Sequence, residues 1–398
     1  MDRLTLPDAP WRQRARLGDL VAALGHGAAR FVGGAVRDTL IGLPVSDVDL
    51  ATIHPPEEVV RRLRAADIQS VPTGIRHGTI TAVLPDGPVE VTTLRRDVAT
   101  DGRHATVVFS DDWHEDAARR DFTINALYAD PADGTVFDSV GGIADLERRL
   151  VRFIGDPLQR IAEDHLRILR FFRFHARFGG VEMDAPALEA CTARANDLMA
   201  LSRERIADEL TKLLVAARAP EVLSGMVKRG VLAPVLPEID YEGVVRLQRV
   251  AAREDALAMP ADADRRFAAL LPADPALARD VGARLRLSNA RRRRLVAAAG
   301  ALEAGDPRAS AYRIGMPALL DRALRDADDS RMAEVLAALD GWSPPKLPIT
   351  GGALVALGVT TGPEVAHLLR VVERQWVSEG FPDRKRIEAI AREVVEGR

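Results

Sequence analysis

Hydropathy along this chain changes its period once, near Phe153, and that change limits what the chain can fold into. Before it, short stretches of strand and helix character alternate. "RFVGG" (30–34) predicts a strand, "AVRDTLIG" (35–42) a helix stopped by glycine, and "DVDLAT" (47–52) another strand. "PPEEVVRRLRAAD" (55–67) predicts a helix opened by prolines. Three β-rich pieces follow: "IQSVPT" (68–73), "GTITAVLPDG" (78–87) and "PVEVTTL" (88–94). Residues 95–115 are polar and unperiodic, which predicts a long loop, and loops of that length are usually functional. After Phe153 nearly every segment has helical spacing, and no strand is expected. The prolines of "GWSPPKLPIT" (341–350) predict a boundary before a small C-terminal unit.

Composition narrows the functional classes. A chain of 398 residues is too long for one core, so two to four domains are expected. The formal net charge of −3 means that any nucleic-acid partner must be held by a local basic patch. "ARLRLSNARRRRL" (283–295) is the densest such stretch. It is either a row of phosphate contacts or a solvated helix face. The single cysteine, Cys191, excludes an internal disulfide framework and a multi-thiolate zinc site, and is expected to be a small buried apolar residue. The N-terminus has no signal-peptide core, and no run is long enough to cross a bilayer. A cytoplasmic protein is expected, with no membrane partner and no protein partner evident.

Chemistry concentrates in "GGAVRDTLIGLPVSDVDL" (33–50). Residues i and i+2 of a strand share a face, so Asp47 and Asp49 present two carboxylates side by side. Such a pair is a seat for hard divalent cations completed by substrate phosphates. Gly33 and Gly34, at a strand-to-helix turn, let backbone N–H groups approach a polyphosphate. Arg37, one turn into the helix, is placed to pair with the same phosphates. Glu90 alternates with valines in "PVEVTTL"; it either joins the carboxylate pair as ligand or base, or faces solvent.

"GGAVRD" followed by "DVDLAT" resembles the nucleotidyltransferase signature of the DNA polymerase β superfamily. More narrowly, it resembles the bacterial (class II) family of CCA tRNA nucleotidyltransferases and poly(A) polymerases. "RRDFTINAL" (119–127), "FDSVGGIADLERRLVRFIGDP" (137–157), "EDHLRILRFFRF" (163–174) and "SRERIADELTKLL" (202–214) are similar to that family's further motifs. "LPITGGALVALGVTTGPEVAHLL" (347–369) and "GIRHGTITAV" (74–83) resemble its tRNA-adding branch.

The resemblance implies a multidomain α/β plus all-α protein. A polymerase β-like head with a mixed sheet (1–150) would precede a helical neck that recognises the base (151–214). A helical body (215–340) and tail (341–398) would bind tRNA. It further implies two Mg²⁺ ions on Asp47 and Asp49, CTP and ATP as substrates, and the tRNA 3′ end as acceptor. Arg120 is implied near the triphosphate and Asp121 near the ribose. Asp164 and Arg167, read as i and i+3 neighbours on one helix, would select the base. A carboxylate accepts from the exocyclic amine that cytosine and adenine share, and uracil and guanine offer a carbonyl there instead. Arg170 and Arg173 continue that series as nucleotide contacts. Loop 95–115 corresponds to the family's flexible loop, associated with the switch from C to A. Phe171, Phe172, Phe174 and Phe178 are read as core. The alternatives are a poly(A) polymerase, a partial A-adding enzyme, and a non-catalytic RNA-binding homologue.

Overall fold

The computed structural model describes residues 4–100, 105–360 and 362–397. The chain divides into two compact units, Met1–Val235 and Leu236–Arg398.

The first unit is built on a mixed seven-stranded sheet. Its strands are β1 (Ala29–Val32), β2 (Val48–Thr52), β3 (Ser70–Gly74), β4 (Thr79–Leu84) and β5 (Gly87–Thr93). β6 (Arg95–Thr100) and β7 (Ala105–Phe109) form a separate two-stranded ribbon, and β8 (Leu127–Ala129) and β9 (Val136–Asp138) return to the main sheet. The order is β3-β4-β5-β2-β1-β8-β9, and only β2 and β5 run parallel. Val48, Leu50, Val89 and Val91 are buried, so the central strands carry apolar residues on their covered face.

Helices of this unit are α1 (Leu17–Leu24), α2 (Gly34–Leu40), α3 (Pro56–Ala65), α4 (Trp113–Ala118), α5 (Gly142–Glu147), α6 (Pro157–Glu163), α7 (Arg167–Phe178), α8 (Ala185–Ala193), α9 (Arg203–Leu214) and α10 (Ala219–Lys228). α7 is the organising one. Its Phe171, Phe172, Phe174 and Phe178 are buried, as read from the sequence. Phe171 stacks on Phe153, with centroids 5.9 Å apart, and Phe174 meets Phe122 at 5.2 Å. Losing any one such ring would cost about 3–5 kcal/mol. His175, also buried, sits so close to Gly179 that a Cβ there would lie 2.2 Å from its Nδ1. Only glycine fits.

The second unit is helical: α11 (Tyr241–Ala256), α12 (Ala263–Leu270), α13 (Pro275–Arg284), α14 (Asn289–Ala298), α15 (Pro307–Ile314), α16 (Met316–Asp326), α17 (Asp329–Leu339), α18 (Gly351–Ala356), α19 (Gly362–Ser378) and α20 (Arg384–Glu396). Asp-Pro pairs start several helices across the chain. Asp156, Asp274 and Asp306 each accept a hydrogen bond from a first-turn N–H, with proline at the position whose N–H needs no partner. No strand occurs after β9 among the described residues. Cys191 is buried, and burial pushes its thiol pKa up. No helix is long and apolar enough to cross a membrane among the described residues.

Two expectations are corrected. Residues 95–115 are not a loop: they form the β6–β7 ribbon and the start of α4, although residues 101–104 lie outside the described residues. β8 and β9 went unforeseen because three-residue strands are too short to show a period.

Candidate active site

The parallel pairing of β2 and β5 sets Asp49 directly opposite Glu90. Asp47 stands one residue before β2, exposed, and accepts from Ser46 Oγ at 2.8 Å. Three carboxylates thus gather beside the central strands β2 and β5. No hydrogen bond or ion pair reaches the Asp49 carboxylate among the described residues. Burial, followed by the negative charge of Glu90, pushes its pKa up to about 6, against the opposing pull of Arg120. Such a cluster has no cation in contact with it among the described residues and suits a hard cation. The described residues gather no three His, Cys, Asp or Glu side chains into a ready metal cage. An ion held by Asp47 and Asp49 would therefore take other ligands from outside the protein.

The glycine turn lies between β1 and α2. Gly33 has φ 68°, a conformation that costs a residue with a side chain, and its N–H donates to Leu127 O at 3.0 Å. A Cβ there would lie 3.7 Å from Arg120 Nη1. Gly34 opens α2. Arg37 does not point outward. Its guanidinium is buried, donates to Asp38 and to Asn125 Oδ1, and lies 3.9 Å over the ring of Phe178. Burial lowers its pKa, opposed by Asp38. Those partners hold the start of α2 against α7.

Asp121 is buried, and both its oxygens are occupied. Oδ1 accepts from Phe122 N at 2.9 Å and Asn125 Nδ2 at 3.0 Å; Oδ2 accepts from Arg170 Nε and Nη2 at 2.8 and 2.5 Å. Its pKa stays low although burial opposes this, because Arg170 and the hydrogen bonds favour the charged form. Arg173 donates instead to Glu209 of α9, at 2.6 Å, and lies over Phe174.

Arg120 is held by a residue the sequence reading missed. Asp116 of α4, about 1 % exposed, accepts from Arg120 Nε and Nη2 at 3.2 and 3.0 Å, and from Arg119 Nε and Nη2 at 2.8 and 2.6 Å. The Tyr128 hydroxyl of β8 also donates to it, at 2.6 Å. Burial alone would raise the Asp116 pKa; Arg120 and Arg119 overcome that and hold it at about 2. The only trace in the sequence is an acid three and four residues before two arginines.

Asp164 and Arg167 are not neighbours on one helix. α6 ends at Glu163, Asp164 is extended (φ −152°, ψ 106°), and α7 begins at Arg167. Asp164 pairs with Arg205 of α9, whose Nη2 lies 3.1 and 2.9 Å from its two oxygens. Arg167 donates to Glu163 at 2.5 Å, to Arg160 O at 2.9 Å, and to Arg119 O at 3.4 Å. Arg160 likewise donates to Ala118 O at 2.9 Å. The break between α6 and α7 is thereby seated on the C-terminal carbonyls of α4, which favour cations. Arg205 lies within a quoted motif, but nothing in its spacing names Asp164 as its partner.

Comparison with known proteins identifies the family of the chain. Residues 29–152 match the family described as poly A polymerase head domain, and residues 180–242 the one described as a probable RNA and SrmB-binding site of polymerase A. Over 387 residues the chain is 34 % identical to the Mus musculus protein called CCA tRNA nucleotidyltransferase 1, mitochondrial, spanning 92 % of this chain and 86 % of that one. It is 31 % identical over 414 residues to the CCA-adding enzyme of Lacticaseibacillus paracasei, and both chains are covered in full. The crystal structure of the Bacillus stearothermophilus CCA-adding enzyme in complex with CTP superposes with a TM-score of 0.78 at 28 % identity, over 98 % of this chain and 99 % of that one.

Proposed function

Because the chain belongs to the CCA-adding tRNA nucleotidyltransferases, we propose that it adds C, C and A to tRNA 3′ ends, without a nucleic-acid template, in the cytosol. CMP and AMP come from CTP and ATP, and pyrophosphate leaves. The observation that carries this reading is the carboxylate cluster of Asp47, Asp49 and Glu90. No cation touches it among the described residues, and the charge of Arg120, beside the glycine turn, acts on it.

In this reading Gly33 and Gly34 admit the triphosphate to the N-terminus of α2, and Arg120 takes phosphate charge. Arg37, turned inward, positions that turn. Two Mg²⁺ ions on Asp47 and Asp49, when bound, would acidify the attacking 3′-hydroxyl and neutralise the leaving pyrophosphate. Glu90 is placed to add negative charge and to receive the hydroxyl proton. Asp121 has four donors, so it reaches a ribose 2′-hydroxyl only by exchanging Arg170. Asp164 accepts the exocyclic amine of C or A, and Arg167 donates from N–H groups not spent on its carbonyl and carboxylate partners. Arg173 acts from behind, through Glu209.

We divide the chain into head (1–150), neck (151–214), body (215–340) and tail (341–398), the last two holding tRNA. α13 and α14 present Arg279, Arg292 and Arg293 around one groove suited to phosphates.

The test is incubation of the purified protein with tRNA lacking CCA, Mg²⁺ and each NTP singly and together. Two C and one A should be added, with CTP required before ATP. Long A-tracts from ATP alone would make it a poly(A) polymerase. No incorporation by a folded, tRNA-binding protein would leave only a binding homologue.

A further inference from the structure

We infer that Asp116 is a positioning residue for triphosphate binding: it aims Arg120 at the glycine turn and so serves the C and A steps alike. The inference rests on the reading of Arg120 as a phosphate contact.

The geometry runs from one buried carboxylate outward. Arg120 turns its Nε and Nη2 edge onto Asp116 Oδ2, while its Nη1 end lies near Asn125 O, at 3.5 Å, beside Gly33. The Tyr128 hydroxyl closes the arrangement, accepting from Arg120 Nε at 3.1 Å and donating to Asp116. A guanidinium held along one edge can swing little, so the remaining end is presented in one direction. That direction is the glycine turn, where Gly33 takes a positive φ and a Cβ would touch Arg120 Nη1 at 3.7 Å.

Charge supports the same role. One carboxylate stands between two guanidiniums, Arg119 and Arg120, which leaves a local surplus of one positive charge. A structural ion pair would balance; this one keeps a cation for an incoming anion. Asp116 also accepts from Arg95 N at 3.4 Å, at the foot of β6, and its neighbour Glu115 accepts from Ser110 Oγ at 2.6 Å, just beyond β7. α4 therefore grips both strands of the ribbon at its base, and the phosphate arginine with them.

Asp164 lies on a different element and makes none of these contacts, so the two residues should fail differently. Loss of Asp116 should weaken the hold on phosphates without changing which base is chosen.

The experiment measures competitive inhibition of CMP transfer by tripolyphosphate and by CMP, with kcat and KM for CTP and ATP. The variants are Asp116→Asn, Arg120→Gln and Tyr128→Phe. Asp116→Asn should weaken tripolyphosphate inhibition and raise both KM values by about tenfold. Inhibition by CMP and the preference for C and A over U and G should stay within about twofold of the parent. Tyr128→Phe keeps its ring against Trp113 and should show the same pattern at about threefold, which decides the matter if Asp116→Asn does not fold. Equal loss of tripolyphosphate and CMP inhibition would overturn the inference, since that is the mark of a merely structural role. Unchanged tripolyphosphate inhibition in Asp116→Asn, with a clear loss in Arg120→Gln, would overturn it and leave the Arg120 reading standing. Unchanged inhibition in Arg120→Gln would remove both.

Discussion

The head sheet and the helical second unit both draw charged groups out of water, and they treat them in opposite ways. In the second unit Glu254 is fully buried and accepts from Arg265 and Arg266, each at 2.7 Å. Asp321 accepts from Arg265 and from Nε and Nη2 of Arg294, whose Nη1 also reaches Asp262. Three acids face three arginines, and the charge closes. On the head's central strands Asp49 meets Glu90 across the parallel pair and Asp47 along the chain, with no cation in contact among the described residues. Burial of charge is therefore no guide to function by itself. What separates this scaffold network from the Asp47–Asp49–Glu90 cluster is whether the charge is balanced within the protein.

The largest expected effect tests the unbalanced side. Asp49→Ala should lower incorporation of both CTP and ATP by about a thousandfold or more, several kcal/mol of lost transition-state stabilisation. Its melting temperature should hold or rise, because one like charge is gone. A marked loss of stability would place Asp49 among scaffold residues and break the contrast.

Glu254→Ala should do the reverse. It removes the buried carboxylate that Arg265 and Arg266 share, at a cost of about 3–5 kcal/mol read from a denaturant midpoint. CTP affinity of the folded fraction should not move. A weakened CTP affinity at unchanged stability would mean that balanced networks also carry function here.

His175 offers an uncharged middle case. Burial, with a smaller push from Arg218, lowers its pKa to about 4, and its Nδ1 has no partner among the described residues. The unfolded chain protonates near pH 6.5 and the folded chain only near pH 4, so stability is full above about 6.5 and declines between those values. The loss should approach about 3 kcal/mol below pH 4, and His175→Leu should flatten that part of the curve. An unchanged slope in a folded variant would assign the acid sensitivity to carboxylates instead.

The smallest expected effect concerns selection. Asp164→Ala should bring UTP and GTP closer to CTP and ATP by about ten- to a hundredfold in relative efficiency, the worth of one hydrogen bond to a charged group. Stability should change little, since Asp164 and Arg205 are both partly exposed. An unchanged preference would locate base reading elsewhere.

Several of these groups stand in plain sight along the chain, while their partners do not. Asp47 and Asp49 are visible as a pair because a strand repeats every two residues. Glu90 is visible only as a candidate, because its place opposite Asp49 depends on which strands pair and in which register. Asp164 and Arg167 look like helix neighbours because helical spacing surrounds both. The break at Asp164 is set by contacts from α4 and α9, which lie far away in sequence.

Local order along the chain determined most elements of the head, the all-helical remainder, the aromatic face of α7 and the existence of a two-carboxylate, two-glycine constellation. These follow from periodicity, proline and glycine stereochemistry, and apolar spacing, all of which act within a few residues. The tertiary structure alone decided which charges meet. It turned Arg37 inward onto Asn125, seated Arg170 on Asp121, gave Asp164 to Arg205, and hung Arg119, Arg120 and Tyr128 on Asp116. A guanidinium can pair with any carboxylate that the fold brings within hydrogen-bond reach. Sequence spacing limits that choice only within one helix or strand, and apart from Asp116 and the two arginines one turn on, these partners come from different elements.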